Sequence, residues 1–216
     1  MSRVIRNDFD VTQTEHPLGP NLPQRVGRVL WAPMLVMGLM AFPLALVLAF
    51  VRASYIASGA DPAAVAALGQ FVPAAMFLGF ASVFAAISFA ISRILGVLRV
   101  GGGSVQAACA VPCQTLRMPI TGYVFIGLMA MAMMALLAAV AAHVVVGFVV
   151  AGAIAVSDTA TVVAVASWSE ILEGIRRLGA STYLISIAFG LATIVKVLTF
   201  QSVRIRELPR TPRIAA

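Results

Sequence analysis

From Pro119 to Val156 the chain runs for 38 residues without an Asp, Glu, Lys or Arg. As one helix this stretch would measure about 57 Å, against a bilayer core of about 30 Å. It is therefore either one helix projecting past the lipid or two closely linked spans. The rest of the chain reads the same way. Hydrophobic residues make up 61% and charged residues 11% of the 216, whereas a soluble domain has about 45–50% apolar and about 25% charged residues. That leaves too little polar surface to cover a free-standing soluble enzyme. The hydrophobicity also excludes a disordered chain. The expected class is an all-α, polytopic integral membrane protein.

Four spans are expected, over about 30–51, 71–97, 119–151 and 181–201. Trp31 suits the headgroup layer at the start of the first, and Pro43 should kink it. Between the first two spans, Ser58-Gly59-Ala60-Asp61-Pro62 reads as a turn. A short Ala-rich helix should follow, with Asp61 as its N-cap and Pro62 at its first position. Gly101–Gly103 should end the second helix and form a hinge. They follow a helix and lack a succeeding Lys-Ser/Thr, so they are not a P-loop. Ser167 and Glu170 have capping-box spacing. Trp168, Ile171, Leu172, Ile175 and Leu178 then share a face, giving an amphipathic helix over about 168–179. It is expected to lie flat in the extracytoplasmic interface. Residues 1–28 and 202–216 read as polar cytoplasmic tails around a membrane domain over 29–201. No early apolar core resembles a secretory signal, so the first apolar run is expected to remain as an anchor.

The net charge is +7. In a membrane chain this is read through the positive-inside rule before nucleic acid is considered. With four spans, 11 of the 15 basic residues fall on one side: Arg3, Arg6, Arg25 and Arg28; Arg93, Arg99 and Arg117; and Arg204, Arg206, Arg210 and Arg213. Arg52, Arg176 and Arg177 fall on the other. Both termini are thus expected in the cytoplasm. Lys196 is the only lysine, and this Arg-heavy, Ala- and Val-rich usage suits a GC-rich bacterial genome and an inner membrane. The expected partners are the lipid bilayer and other membrane subunits or further copies of the chain, with no nucleic acid.

The second and fourth spans align without gaps at an offset of 111 residues, matching Gly79 with Gly190, Phe89 with Phe200 and Arg93 with Arg204. A duplicated helical hairpin would produce this match, a 2+2 repeat like those of some transporters. Two apolar helices of similar composition that end in Arg would produce it as well.

Few groups carry chemistry. Lys196 is charged and lies within a span, which marks a functional candidate, but its stem can reach the nearby interface. His143 reads as a solvated residue at the outer interface, or as a proton or metal contact in an outer vestibule. Asp158, Arg93 and Arg204 are the other polar positions of interest. Cys109 and Cys113 are separated by three residues, Pro112 among them, which is not zinc-site spacing. They read as structural thiols. Met34, Met37, Met40, Met129, Met131, Met133 and Met134 suit soft metals and equally suit apolar filling. No nucleophile–base pair, catalytic group, cofactor site or metal site can be assembled. The expected function is a non-catalytic subunit or scaffold of a larger membrane assembly. The alternative is a small transporter or channel for an ion or small solute, alone or as a homo-oligomer.

Overall fold

Each expected span falls on one uninterrupted helix that is longer than the span itself. The computed structural model describes residues 9–14, 18–59 and 61–208. In chain order the elements are β1 (Val11–Thr14), α1 (Leu22–Ser58), α2 (Pro62–Ala108), β2 (Cys113–Leu116), α3 (Ile120–Ala155) and α4 (Thr159–Glu207). All four helices are long and apolar enough to cross a membrane, so the fold is all-α as expected. The 38-residue apolar stretch is one helix, α3.

Local chemistry explains where the helices start and stop. Asn21 accepts the first helical bond of α1, and the Gln24 side chain turns back to accept from its N–H at 2.9 Å. This is the side-chain-to-N-cap half of a capping box. Asp61 caps α2, as expected, by accepting from the Ala63 N–H at 2.9 Å. Three residues with left-handed backbone close α1, α2 and α3: Gly59 (φ 62), Ala110 (φ 53) and Ser157 (φ 57). Such residues release the last carbonyls of a helix and reverse the chain.

Several sequence expectations fail because helix propagation is cooperative. No break separates a short Ala-rich helix from the second span, since α2 runs from Pro62 through both. Gly101–Gly103 are helical and form no hinge, and α2 ends instead at Ala108. No separate amphipathic helix exists at 168–179, which is an internal part of the 49-residue α4. The Ser167 hydroxyl accordingly bonds back to the Val163 carbonyl and caps nothing. The N-terminal region also holds more than a polar tail. β1 pairs antiparallel with β2, in a register that sets Val11 opposite Leu116 and Thr14 opposite Cys113. At the other end, α4 extends through Glu207, beyond the span expected to stop near 201. Arg3, Arg6, His16, Arg210 and Arg213 lie outside the described residues.

The chain divides into two compact units whose boundaries fall within the helices. The first comprises Met1–Trp31, Ile87–Gly127 and Ser186–Ala216. Here α1 and α2 approach closely at Gly27, where a Cβ would stand 2.7 Å from the Phe89 carbonyl oxygen. Gln106 is fully buried. It donates to the Gly102 and Gln114 carbonyls (both 3.1 Å) and accepts from the Gln114 N–H (2.8 Å). This fastens the turn after α2 to the helix. Ser186 donates to the Phe125 carbonyl at 3.0 Å, and Thr193 pairs with Thr121 at 2.9 Å.

The second unit comprises Ala32–Ala86 and Leu128–Ile185. Aromatic rings link its helices: Phe42 meets Phe80 edge-on at 5.1 Å, Phe80 stacks on Phe84 at 6.1 Å, and Phe84 lies 5.2 Å from Tyr183. Leu136 and Tyr183 are completely buried. The matched glycines of the sequence repeat have similar surroundings within their own units. Gly79 faces the Phe42 ring of α1, and Gly190 faces the Phe125 ring of α3. The matched arginines do not. Arg93 lies exposed with its guanidinium 5.3 Å from the Trp31 ring, whereas Arg204 pairs with Glu207 at 2.6 Å.

Candidate functional site

The second unit holds a half-buried chain of polar side chains drawn from three helices, with His143 its fully buried member. Gln70 of α2 stands between His143 of α3 and Ser169 of α4. The His143 Nδ1 lies 2.8 Å from the Gln70 Oε1, and the Gln70 Nε2 donates to the Ser169 Oγ at 2.9 Å. The Ser169 hydroxyl donates in turn to the Val165 carbonyl at 2.9 Å. These contacts fix the direction of the whole chain. The one Ser169 proton is committed to Val165, so Ser169 accepts from the Gln70 amide. Gln70 must then present its carbonyl oxygen to His143, and Nδ1 carries the proton. In the neutral ring the Nε2 keeps its lone pair. That nitrogen is buried and has no hydrogen-bond partner among the described residues.

A charged pair completes the cluster. Arg176 is buried on α4 with its guanidinium 4.6 Å above the Phe77 ring. Glu173, one turn earlier, holds it in an ion pair and also binds Arg177 at 2.7 Å. The buried cation is thus balanced by a carboxylate on one side and an aromatic face on the other.

The sequence-derived positions scatter around this cluster. His143 belongs to it, but as a buried residue (2% exposed), not as the solvated interfacial histidine expected. A helix-length estimate places a residue along the axis and is blind to what packs against it. Gln70, Ser169 and Arg176 were not anticipated. Gln70 and His143 are 73 positions apart, and no local pattern links them. Lys196 is exposed on α4 and makes no ion pair among the described residues, consistent with snorkelling. Cys113 is buried and donates weakly to the Gly103 carbonyl at 3.3 Å, and both cysteines are free thiols.

Asp158 caps α4. It accepts from the Thr161 hydroxyl and, at 3.2 Å, from the Thr161 N–H. The hydroxyl bond, followed by the backbone bond, holds its carboxyl below the usual aspartate range. A carboxylate depressed in the folded state stabilises above its unfolded pKa, and this stabilisation is lost as pH falls through the folded pKa. The start of α4 should therefore stay closed at neutral pH and loosen only below the pH at which an ordinary aspartate protonates. Hydrogen exchange at Thr161 and Val162, measured against pH, should show that opening in the native chain. In Asp158→Asn the acid-dependent part should disappear.

No protein-family model, curated protein or solved structure matches the chain. The functional reading therefore rests on geometry alone.

Proposed function

We propose that the chain is a four-span protein of the bacterial inner membrane, with both termini cytoplasmic, acting as a non-catalytic subunit of a larger membrane assembly. The reading is supported by one observation: the ends of α3 and α4 joined at Ser157-Asp158 carry exposed apolar side chains, on helices of 36 and 49 residues that are longer than lipid can cover.

Charge spacing supports this placement. The uncharged run between Asp158 and Glu170 is shorter than the roughly 17 residues that a span requires. Between Arg177 and Lys196, residues 178–195 offer about 27 Å of uncharged helix, close to the bilayer core of about 30 Å. On α1, residues 29–51 between Arg28 and Arg52 offer about 35 Å. Arg177 is 77% exposed in its side chain, and a lipid-facing charge at the bilayer centre costs about 2.5–3.5 kcal/mol on insertion scales. Residues 159–176 then extend about 27 Å past the hydrocarbon. The end of α3 accompanies them, because His143 reaches Ser169 through Gln70.

That projecting part is strongly apolar on the outside. Val145, Phe148 and Val149 on α3, Val156 just after it, and Val163, Trp168 and Ile171 on α4 are all exposed. Contiguous apolar surface facing water marks an interaction site. Its helical spacing and lack of charge on α3 suit an apolar helix of a partner subunit.

The orientation draws on the charges of each unit. The first unit holds Arg25, Arg28, Arg93, Arg99, Arg117, Lys196, Arg204 and Arg206 among its described residues, against Asp10 and Glu207. The second holds Arg52, Arg176 and Arg177 against four acidic residues, Asp61, Asp158, Glu170 and Glu173. This asymmetry favours the terminal segments and the α2–α3 connection in the cytoplasm.

Purification of the native chain in mild detergent tests the assembly. A second membrane protein should co-purify, and Phe148→Glu should release it without lowering the yield of the chain. A lone species that is unchanged by Phe148→Glu would refute the subunit reading.

A further inference from the structure

The first unit contains a cavity of about 420 Å³, within the range of small-ligand pockets. It lies between the β1–β2 ribbon and the cytoplasmically assigned ends of the helices. Leu95, Phe125, Ile126 and Val197 give it an apolar wall, and Thr12, Thr115 and Gln201 add hydroxyls and an amide. Arg99 is the only charged side chain on that wall among the described residues.

Arg99 has no counter-ion among the described residues. Its Nε is buried without a hydrogen-bond partner among the described residues. The two described acidic residues of this unit are engaged elsewhere, Asp10 with Arg117 and Glu207 with Arg204. Arg99 is half-buried, and a guanidinium partly withdrawn from water gains from meeting an anion. Its planar fork of donors matches a carboxylate or phosphate. A cation at one point of a largely apolar hollow calls for a ligand with the opposite pattern.

We propose that this cavity binds an amphiphile bearing one oxyanion, a carboxylate or phosphate, with the oxyanion on Arg99 and the apolar body against Leu95, Phe125 and Val197. The inference does not rest on the assembly reading, which concerns the second unit. Two sources share this chemistry, a membrane phospholipid and a free fatty acid.

The test uses the full chain in neutral detergent, titrated separately with phosphatidylglycerol, palmitate and inorganic phosphate, and followed by calorimetry. At least one amphiphile should bind the native chain, and which one binds identifies the source. Arg99→Gln should weaken that binding about tenfold or more, the scale of a lost charge-assisted pair. Arg93→Gln removes an exposed arginine and should leave binding unchanged. Ser92→Phe fills the cavity without altering its charge and should abolish binding while the melting temperature is kept. The proposal is overturned if neither amphiphile binds. It is equally overturned if Arg99→Gln and Ser92→Phe both bind like the native chain, or if inorganic phosphate binds as tightly as the amphiphiles.

Discussion

Glu173→Gln is expected to destabilise the protein by about 2–3 kcal/mol, whereas Arg176→Met should cost far less. The asymmetry follows from burial. The Arg176 side chain is 7% exposed and Glu173 is 34% exposed. Breaking a buried ion pair by removing one partner leaves an uncompensated charge, at a cost of about 3–5 kcal/mol. Partial exposure of Glu173 places the loss at or below the lower end of that range. Replacing the cation with an apolar chain of similar length keeps the contact with Phe77 and removes the charge that needed compensation. Glu173 would then retain Arg177. Thermal unfolding in mild detergent, run as a double-mutant cycle, measures both effects. A larger loss for Arg176→Met than for Glu173→Gln would mean that the pair is not buried as described.

Gln70→Leu is expected to cost about 1–3 kcal/mol, the cost of one stranded buried polar group. Leucine preserves the volume but strands the His143 Nδ1–H and removes the donor to Ser169. The double variant Gln70→Leu/His143→Leu should cost less than the sum of the two single variants, because it removes both ends of the broken bond. Additive losses would show that the two side chains do not interact.

The parts of the fold that sequence reveals are those with a local cause. Four apolar runs announce four helices, and Asp61 followed by Pro62 announces the start of one of them. The charges flanking each run favour four spans over five. The joints were misjudged because composition does not weigh cooperativity. Gly101–Gly103 look like a break, yet Gln106, buried against the turn that follows, holds α2 together past them. Trp168, Ile171 and Leu178 look like one face of an independent surface helix. They belong instead to a helix about 73 Å long, on which Val165, Leu172 and Arg176 are the buried positions of this stretch. The candidate site was the least legible part. His143 was noticed for being alone among apolar residues. Its function as a donor depends on Gln70 and Ser169, and only the packing of α2, α3 and α4 brings them together.

The central claim is that Arg52, Arg176 and Arg177 mark the outer edge of the membrane and that the α3–α4 connection stands clear of the lipid. Cysteine labelling tests it most directly. Val149→Cys, Ser157→Cys and Ser202→Cys are each placed in a chain whose Cys109 and Cys113 have been replaced by Ala, expressed in excess of any partner. Right-side-out vesicles are then treated with a membrane-impermeant maleimide. Positions 149 and 157 should both react at once, and position 202 only after permeabilisation. Reaction at 202 in intact vesicles, or failure of 149 to react while 157 does, would contradict the account.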